Sequence, residues 1–451
     1  MRYRSLAAVG VMLSVVGATF GQTCVPAWSH DIGRPGVTSS GYVGPMMGFN
    51  DGSGEKLYAG GSFSAMGGFV TRGIARWNPV TQLWGPVGGG CYSTNTNYFV
   101  AALGSYSFDG VRELLVGGSF DLAGTTPAAR LARWNGTRWA AMPGAQPNGA
   151  VWAITEWNGK LYIGGGFSSV GAAVCNGIMS FDAEESWQPV GTGIDSGFAP
   201  TIFALKAFND GRGEKLYAGG RFTSIAGVNG MIGRWNGTSW EPAGGGIVST
   251  SPFGDIEAME VFDNGTGPAL YVGGSSLSIG GGNGAIGSVA RWNGVRWQLV
   301  GADLGGRVTA LKVFNDGSGP ALYLGGTAQP GINYVAKLVG NAWVTLDGGV
   351  GQPGGPPFPS VFGMAVWDGK LFVGGDFDWA GDASQDASGI AYRTSCSCPA
   401  DYNADGAVDA DDTIAFFADW DGGRREADFN GDGGVDADDV IAYFARWDSG
   451  C

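Results

Sequence analysis

Leu57-Tyr58-Ala59-Gly60-Gly61-Ser62-Phe63 decides the fold, because the chain writes it again and again. Copies begin at Leu114 (with Leu115 at the tyrosine position), Leu161 and Leu216, and looser copies at Leu270, Leu322 and Leu371. Internal similarity at a period of about fifty residues, with four short strand candidates per period, is the spacing of a β-propeller. The expectation is an all-β fold, a seven-bladed propeller spanning residues 23–395.

Each unit offers its strands in a fixed order. A small apolar stretch comes first, as in Ala204-Leu205-Lys206-Ala207-Phe208, and the Leu-Tyr-x-Gly-Gly run second. Ile74-Ala75-Arg76-Trp77 and its copies Leu131–Trp134, Ile232–Trp235 and Val289–Trp292 form the third. The fourth starts at Trp84, Trp139, Trp187, Trp240, Trp297 or Trp343. Asn158-Gly159 and Asp368-Gly369 are tight hairpin signals between strands one and two, and Asn135-Gly136, Asn236-Gly237 and Asn293-Gly294 between strands three and four. Paired glycines suit a crowded inner region where sheets approach closely. Period-two alternation sets Arg and Trp of the third strand on opposite faces, with Trp expected to pack between blades.

The seventh unit has Leu371–Phe377 and Ile390-Ala391-Tyr392-Arg393 but no Trp strand after them. Cys24-Val25-Pro26-Ala27-Trp28 at the N-terminus supplies one, and pairing it with the last unit would close the ring and remove open sheet edges. That closure sets Cys24 and Cys396 on adjacent strand ends, which predicts a Cys24–Cys396 disulfide. Cys91 and Cys175 fall in non-adjacent units, so they pair through a long loop or remain buried thiols.

Before this strand, Arg2 and Arg4 precede the apolar stretch Leu6–Phe20, and Ala18 and Gly21 offer cleavage sites. Residues 1–22 read as a signal peptide, ahead of a lipoprotein signal ending at Cys24. The expected location is therefore extracellular, secreted or on the cell surface, where disulfides form. No other long apolar run exists, so no membrane span is expected. The net charge of −14 is uneven: Pro399–Cys451 carries 13 Asp and 1 Glu against 3 Arg. No basic face marks a nucleic-acid binder. His30 is the single histidine, which argues against a zinc site, a Ser-His-Asp triad and a His-ligated copper centre.

The repeat resembles Kelch-like propellers and, more closely, the propeller repeats of cortical cell-polarity marker proteins, over roughly residues 40 to 393. The resemblance implies a fold more than a function.

The acidic tail contains two copies of D-x-N-x-D-G-x-V-D-x-x-D. Asp401, Asn403, Asp405, Asp409 and Asp412 supply side chains in the first, with the Ala407 carbonyl at position 7. Asp428, Asn430, Asp432, Asp436 and Asp439 do so in the second, with the Gly434 carbonyl. Calcium takes six to eight hard oxygens, and Gly406 and Gly433 allow the sharp turn that wraps them round one ion. Two Ca2+ ions are therefore expected, each with Asp where an EF-hand ends in Glu. Each loop leads into a short helix, with Ile414, Phe417 and Trp420 matching Ile441, Phe444 and Trp447 as one apolar face. So small a module gains its folding energy from the metal.

Residues 396–451 resemble a type I dockerin, most closely the variant of secreted planctomycete proteins that opens near Cys-Pro and closes with Gly-Cys. Calcium binding carries over ligand by ligand. In cellulosomal dockerins, hydroxyl residues after loop position 9 help to select the cohesin. Ala410-Asp411 and Ala437-Asp438 stand there instead, so the partner is a cohesin-like or another cell-envelope protein. A Cys398–Cys451 disulfide would tie the module's ends.

The expected function is that of a non-catalytic binding or scaffold protein: the tail docks, and one propeller face binds a glycan or protein ligand. The longer links, Gly88–Tyr98, Ile247–Gly254 and Gly348–Ser360, bring Tyr92, Tyr98, Phe253 and Phe358 to that face, where they can stack on a sugar or peptide. The alternative is an extracellular glycoside hydrolase with a dockerin module, which needs two facing carboxylates. Glu156, Glu257 and Glu260 lie on or near first strands, and of the last two only one can face the channel. A surface-layer spacer is a third reading, with the sequons at Asn135, Asn236 and Asn264 read as turn asparagines.

Overall fold

A computed structural model describes residues 26–29, 32, 36–37, 41–94, 97–182, 184, 186–249, 251–279, 286–327, 333–351, 360–381, 387–395, 402, 410–424, 427–429 and 434–449. Pro26–Ser395 forms one compact unit, and the chain from Cys396 belongs to another. The expected signal segment, His30, Phe358 and the four cysteines expected in disulfides (Cys24, Cys396, Cys398 and Cys451) lie outside the described residues. Cys91 and Cys175 are buried free thiols. No described helix is long and apolar enough to cross a membrane.

The first unit is all-β and antiparallel. Among the described residues seven principal sheets follow one another along the chain, six of them with their strands in chain order. Sheet one contains Tyr42–Asn50, Glu55–Ser62, Ile74–Asn78 and Leu83–Pro86. The first two strands of the other six are Phe99–Phe108 and Val111–Ser119, Val151–Trp157 and Lys160–Gly165, Thr201–Asn209 and Glu214–Arg221, Asp255–Asp263 and Pro268–Ile279, Val308–Asn315 and Pro320–Gly326, and Val361–Trp367 and Lys370–Gly375. The seventh sheet takes Ile390–Thr394 as its third strand, and its fourth is the N-terminal Trp28–Ser29, with Trp28 opposite Arg393. Short extra ladders join the links between sheets to hairpins that follow the second strands. Cys91–Tyr92 pairs with Leu122–Ala123, and Val350–Gly351 with Trp379–Ala380.

The two glycines of each Leu-Tyr-x-Gly-Gly run have different physical causes. A Cβ on the first would enter an aliphatic side chain of the following sheet. Gly60 meets Val100, Gly164 meets Ile202 and Gly273 meets Val308, and Gly374 of sheet seven meets Val43 of sheet one at 2.7 Å. A Cβ on the second would strike a backbone carbonyl of its own sheet's first strand: Tyr42 for Gly61, Thr201 for Gly220 and Asp255 for Gly274. Backbone cannot step aside as a flexible side chain can, so this position admits glycine alone.

The apolar core is divided among the seven junctions between sheets. Tyr106, Leu115 and Leu131 of sheet two join Val151, Leu161 and Met179 of sheet three. Ala365, Trp367 and Phe372 of sheet seven join Val43, Leu57 and Ala75 of sheet one. Trp134, Trp235 and Trp292 of the third strands are buried in such clusters. Each fourth-strand indole donates its N–H to a carbonyl about fifty residues earlier: Trp139 to Val87 (3.0 Å), Trp240 to Val190 (2.9 Å), Trp297 to Ala243 (2.8 Å). Trp28 makes the same bond to Leu346 at 3.1 Å, although it stands at the other end of the chain. The turn asparagines behave as caps; Asn135 Oδ1 accepts the N–H groups of Thr137 and Arg138.

The second unit holds the two helices, α1 (Ala410–Asp421) and α2 (Ala437–Ser449). Its core is Phe416, Ala427 and Tyr443, all fully buried, with the Phe416 and Tyr443 rings stacked at 4.2 Å and 3°. The expected apolar face is met in part: Phe417, Trp420 and Trp447 pack against this core, and the two isoleucines do not. Ile414 and Ile441 are 66% and 67% exposed, and the buried stripe runs Asp412–Phe416 and Asp439–Tyr443. Residues four apart share a helix face, so the last acidic position of each loop sets which side of its helix turns inward.

Candidate functional site: a cavity lined by seven bulged residues

Every first strand carries a register shift at the same place. In sheet two, Gly118 faces Val100 and Gly117 faces Ala102, so Ala101 has no opposite residue. Trp152, Phe203, Glu257, Thr309 and Phe362 are skipped in the same way, and Gly44 belongs to the corresponding interruption in sheet one. A bulge turns one extra side chain out of the pleat. All seven of these residues line one cavity of about 470 Å³.

Gly44 and Ala101 leave space on one side. Trp152 and Phe203 follow, with ring centroids 5.4 Å apart, and Phe99 supports Trp152 from behind at 5.0 Å. Phe362 packs on Tyr42 at 4.7 Å. Burial raises the Tyr42 phenol above its usual range. Beside the Phe203 ring stands a network of four charges. Arg221, next after the glycine pair of sheet four, donates to Asp255 at 2.8 Å and lies over the Phe203 ring at 5.4 Å. Arg307 reaches both Asp255 and Glu257 at 3.1 Å. Asp255 is fully buried and also accepts the Ser275 hydroxyl at 2.9 Å. The Glu257 side chain is only 15% exposed. Burial, seconded by the Asp255 charge, pushes its carboxyl up to about 7, against the pull of Arg307 and Arg221.

Glu257 is the one carboxylate lining this cavity. Glu260 turns away to Lys206 and Lys312, and Glu156 pairs with Arg112 at 2.5 Å. The aromatic residues expected on the longer links lie elsewhere. Tyr92 and Tyr98 meet each other at 6.5 Å, with Arg72 over Tyr92 at 4.5 Å. Phe253 is 58% exposed and meets Phe198 at 5.5 Å. It stands beside a smaller cavity of about 260 Å³ that shares Arg221. Of the bulged positions, sequence singled out Glu257 alone, as a channel-facing candidate. Their signal is the residue after the inward aliphatic of each first strand, which varies freely inside an otherwise repeated frame.

For the acidic loops, the described ligand candidates are Asp412 in the first and Asp428, Gly434, Asp436 and Asp439 in the second. Asp401, Asn403, Asp405, Ala407, Asp409, Asn430 and Asp432 lie outside the described residues. No group of three or more acidic, His or Cys side chains converges among the described residues. The donor set nonetheless fits calcium at the point that is described. Asp412 and Asp439, the position-12 carboxylates, are fully buried at the first turns of α1 and α2. Asp439 also accepts the Asp436 N–H at 2.9 Å, which fixes it against its own loop. Buried carboxylates are paired or bind metal. With the other loop oxygens, these residues would hold the ion, which supplies charge to fold against.

No protein-family model matches the chain, and comparison with curated proteins finds no match.

Proposed function

We propose that the first unit is a seven-bladed β-propeller of a secreted, non-catalytic binding protein, and that the cavity at its first strands takes a carbohydrate. The observation that carries this reading is the set of seven bulged residues lining one space, which aromatic rings and a charged network share. A volume of about 470 Å³ falls within the usual range of small-ligand sites, ~300–1,000 Å³. Trp152 and Phe203 offer flat apolar faces to a pyranose ring, and Glu257, Arg307 and Thr309 offer hydrogen bonds to its hydroxyls. The tail, folded on two calcium ions, docks the protein to a cohesin-like or cell-envelope partner. Glycan-array binding by the full chain tests the cavity: the expected ligand is lost on Trp152→Ala and kept on Tyr92→Ala. Binding unaffected by Trp152→Ala would refute the site.

Glu257 favours a second reading, because a carboxyl titrating near 7 suits a general acid of glycoside hydrolysis. The partner carboxylate that such chemistry needs is the weak point: Asp255 is enclosed by two guanidinium groups and a hydroxyl. Release of reducing sugar from polysaccharides, abolished by Glu257→Gln, would establish the hydrolase in place of the binder.

A further inference from the structure

The repeats supply an internal control for a second site. In sheets one, four and six the turn after the first strand reads Asn-Asp-Gly, at Asn50, Asn209 and Asn315. The Asn side chain accepts the N–H two residues on, at 2.9 to 3.0 Å. The Asp turns inward to a tyrosine of the second strand and a cation of the third. Tyr58 donates to Asp51 at 2.7 Å and Arg76 at 2.7 Å. Tyr323 and Lys337 do the same for Asp316, both at 2.7 Å. In sheet four, Tyr217 donates to Asp210 at 3.1 Å, and Arg234 pairs with Asp210 and with Glu241.

Sheet five keeps the donors and lacks the acids. Its turn reads Asp263-Asn264-Gly265, so the two residue types have changed places. Asp263 now caps the turn, accepting the N–H groups of Gly265 and Gly267 at 2.9 Å. Asn264 stands where Asp210 stands, and Gln298 where Glu241 stands. Both exchanges preserve shape and remove a negative charge. Arg291, the counterpart of Arg234, donates to the Gln298 carbonyl from Nε at 3.2 Å and Nη2 at 3.0 Å and to the Thr266 hydroxyl from Nη1 at 3.5 Å, and pairs with no carboxylate among the described residues. Tyr271 is fully buried, and its hydroxyl makes no hydrogen bond to a described residue. At this point a cavity of about 320 Å³ opens, walled by Asn264, Tyr271, Arg291 and Gln298 on one side and Leu338 and Asn341 of sheet six on the other.

We propose that this cavity binds a ligand carboxylate, which fills the place that Asp51, Asp210 and Asp316 occupy in the other sheets. A planar two-oxygen acceptor matches a guanidinium beside a phenol hydroxyl, and the mainly polar lining suits a ligand with further hydrogen-bonding groups. The carboxylate can belong to a sugar acid or to a peptide, and the site is independent of the carbohydrate cavity proposed above.

The test titrates the calcium-loaded full chain with acetate, D-glucuronate, N-acetyl-L-aspartate, D-glucose and inorganic sulfate at constant ionic strength, followed by calorimetry or NMR. Saturable binding of the carboxylates is expected, with neither glucose nor sulfate replacing them. The stronger of glucuronate and acetylaspartate names the source. Asn264→Asp restores the repeat's own acid. It should weaken carboxylate binding by about tenfold or more, the scale of a charge-assisted hydrogen bond, while raising the melting temperature, so the loss cannot come from unfolding. Arg291→Gln should weaken it as much. Absence of saturable carboxylate binding, sulfate binding as tightly as acetate, or an unaltered Asn264→Asp protein would each overturn the proposal. So would loss of acetate binding in Trp152→Ala with retention in Asn264→Asp, which would move the carboxylate to the other cavity.

Discussion

The seven-sheet unit and the acidic tail hold short elements together by opposite means. In the first, each junction between sheets is closed by apolar side chains, by an indole bonded to a carbonyl of the previous sheet, and by glycines that admit a neighbour at contact distance. Shape does the holding. In the second, the fully buried apolar residues among those described are Phe416, Ala427 and Tyr443, and Asp412 and Asp439 are just as deeply buried. A module of about fifty residues is marginal on its own, and on the proposed reading calcium at the acidic loops supplies the remaining folding energy. On the proposed reading, one chain carries a unit held by shape and another held by its ions.

Removing calcium should therefore break the comparison most visibly. With EDTA the helical circular dichroism of α1 and α2 should vanish and the tail become open to protease, while the seven-sheet unit melts where it did before. A chelator that lowered the melting temperature of the seven-sheet unit as much as it loosened the tail would show that the two are not held differently.

Glycine exchange comes next. Gly220→Ala places a Cβ into the Thr201 carbonyl and 2.9 Å from the Ile202 Cα, where nothing but backbone can move. The cost should reach about 3 kcal/mol or more in chemical denaturation. Gly85, in the fourth strand of sheet one, has nothing within 4 Å of the same atom. Gly85→Ala should stay within about 0.5 kcal/mol of the parent. A somewhat smaller effect belongs to Trp240→Phe, which strips the Val190 carbonyl of its indole donor at a cost of about 1–3 kcal/mol.

These residues also mark what could be read beforehand. The Leu-Tyr-x-Gly-Gly run named the second strand of every sheet because strand period, turn chemistry and glycine crowding all act within a few residues of it. Trp28 as partner of the last sheet was legible by elimination, since the seventh unit lacked a fourth strand and the N-terminus held a spare one. The bulge was not legible. It depends on a carbonyl meeting a glycine across a ladder, and sequence shows the glycine without showing what it avoids. Attention went instead to aromatics on long links, where Tyr92 and Tyr98 pack against each other and Phe253 packs on Phe198. In the tail, Phe417, Trp420 and Trp447 of the expected helix face do pack against the core, and the isoleucines do not. Ile414 and Ile441 look like core by type, whereas burial follows the position-12 aspartates to Phe416 and Tyr443.

Protonation gives the finest contrast between the units. On the proposed reading acid competes with calcium for the tail's carboxylates, so lowering the pH should loosen that unit. In the seven-sheet unit Glu257 works the other way. Its carboxyl titrates at about 7 when folded, above the ordinary 4.5 of the unfolded chain. The folded state thus holds the extra proton between those values. The stability this confers is complete below the lower value and is lost as pH rises through the upper one. Glu257→Gln fixes the side chain in a neutral form. Between about pH 5 and about pH 8 the parent's melting temperature should fall relative to the variant's, with the two running parallel outside that window. The difference should be the smallest of the series, because Arg307 at 3.1 Å already offsets part of the charge that appears. Parallel curves through the whole range would mean that Glu257 stays ionised, and the cavity would then face its ligand with a fixed negative charge instead of a proton to donate.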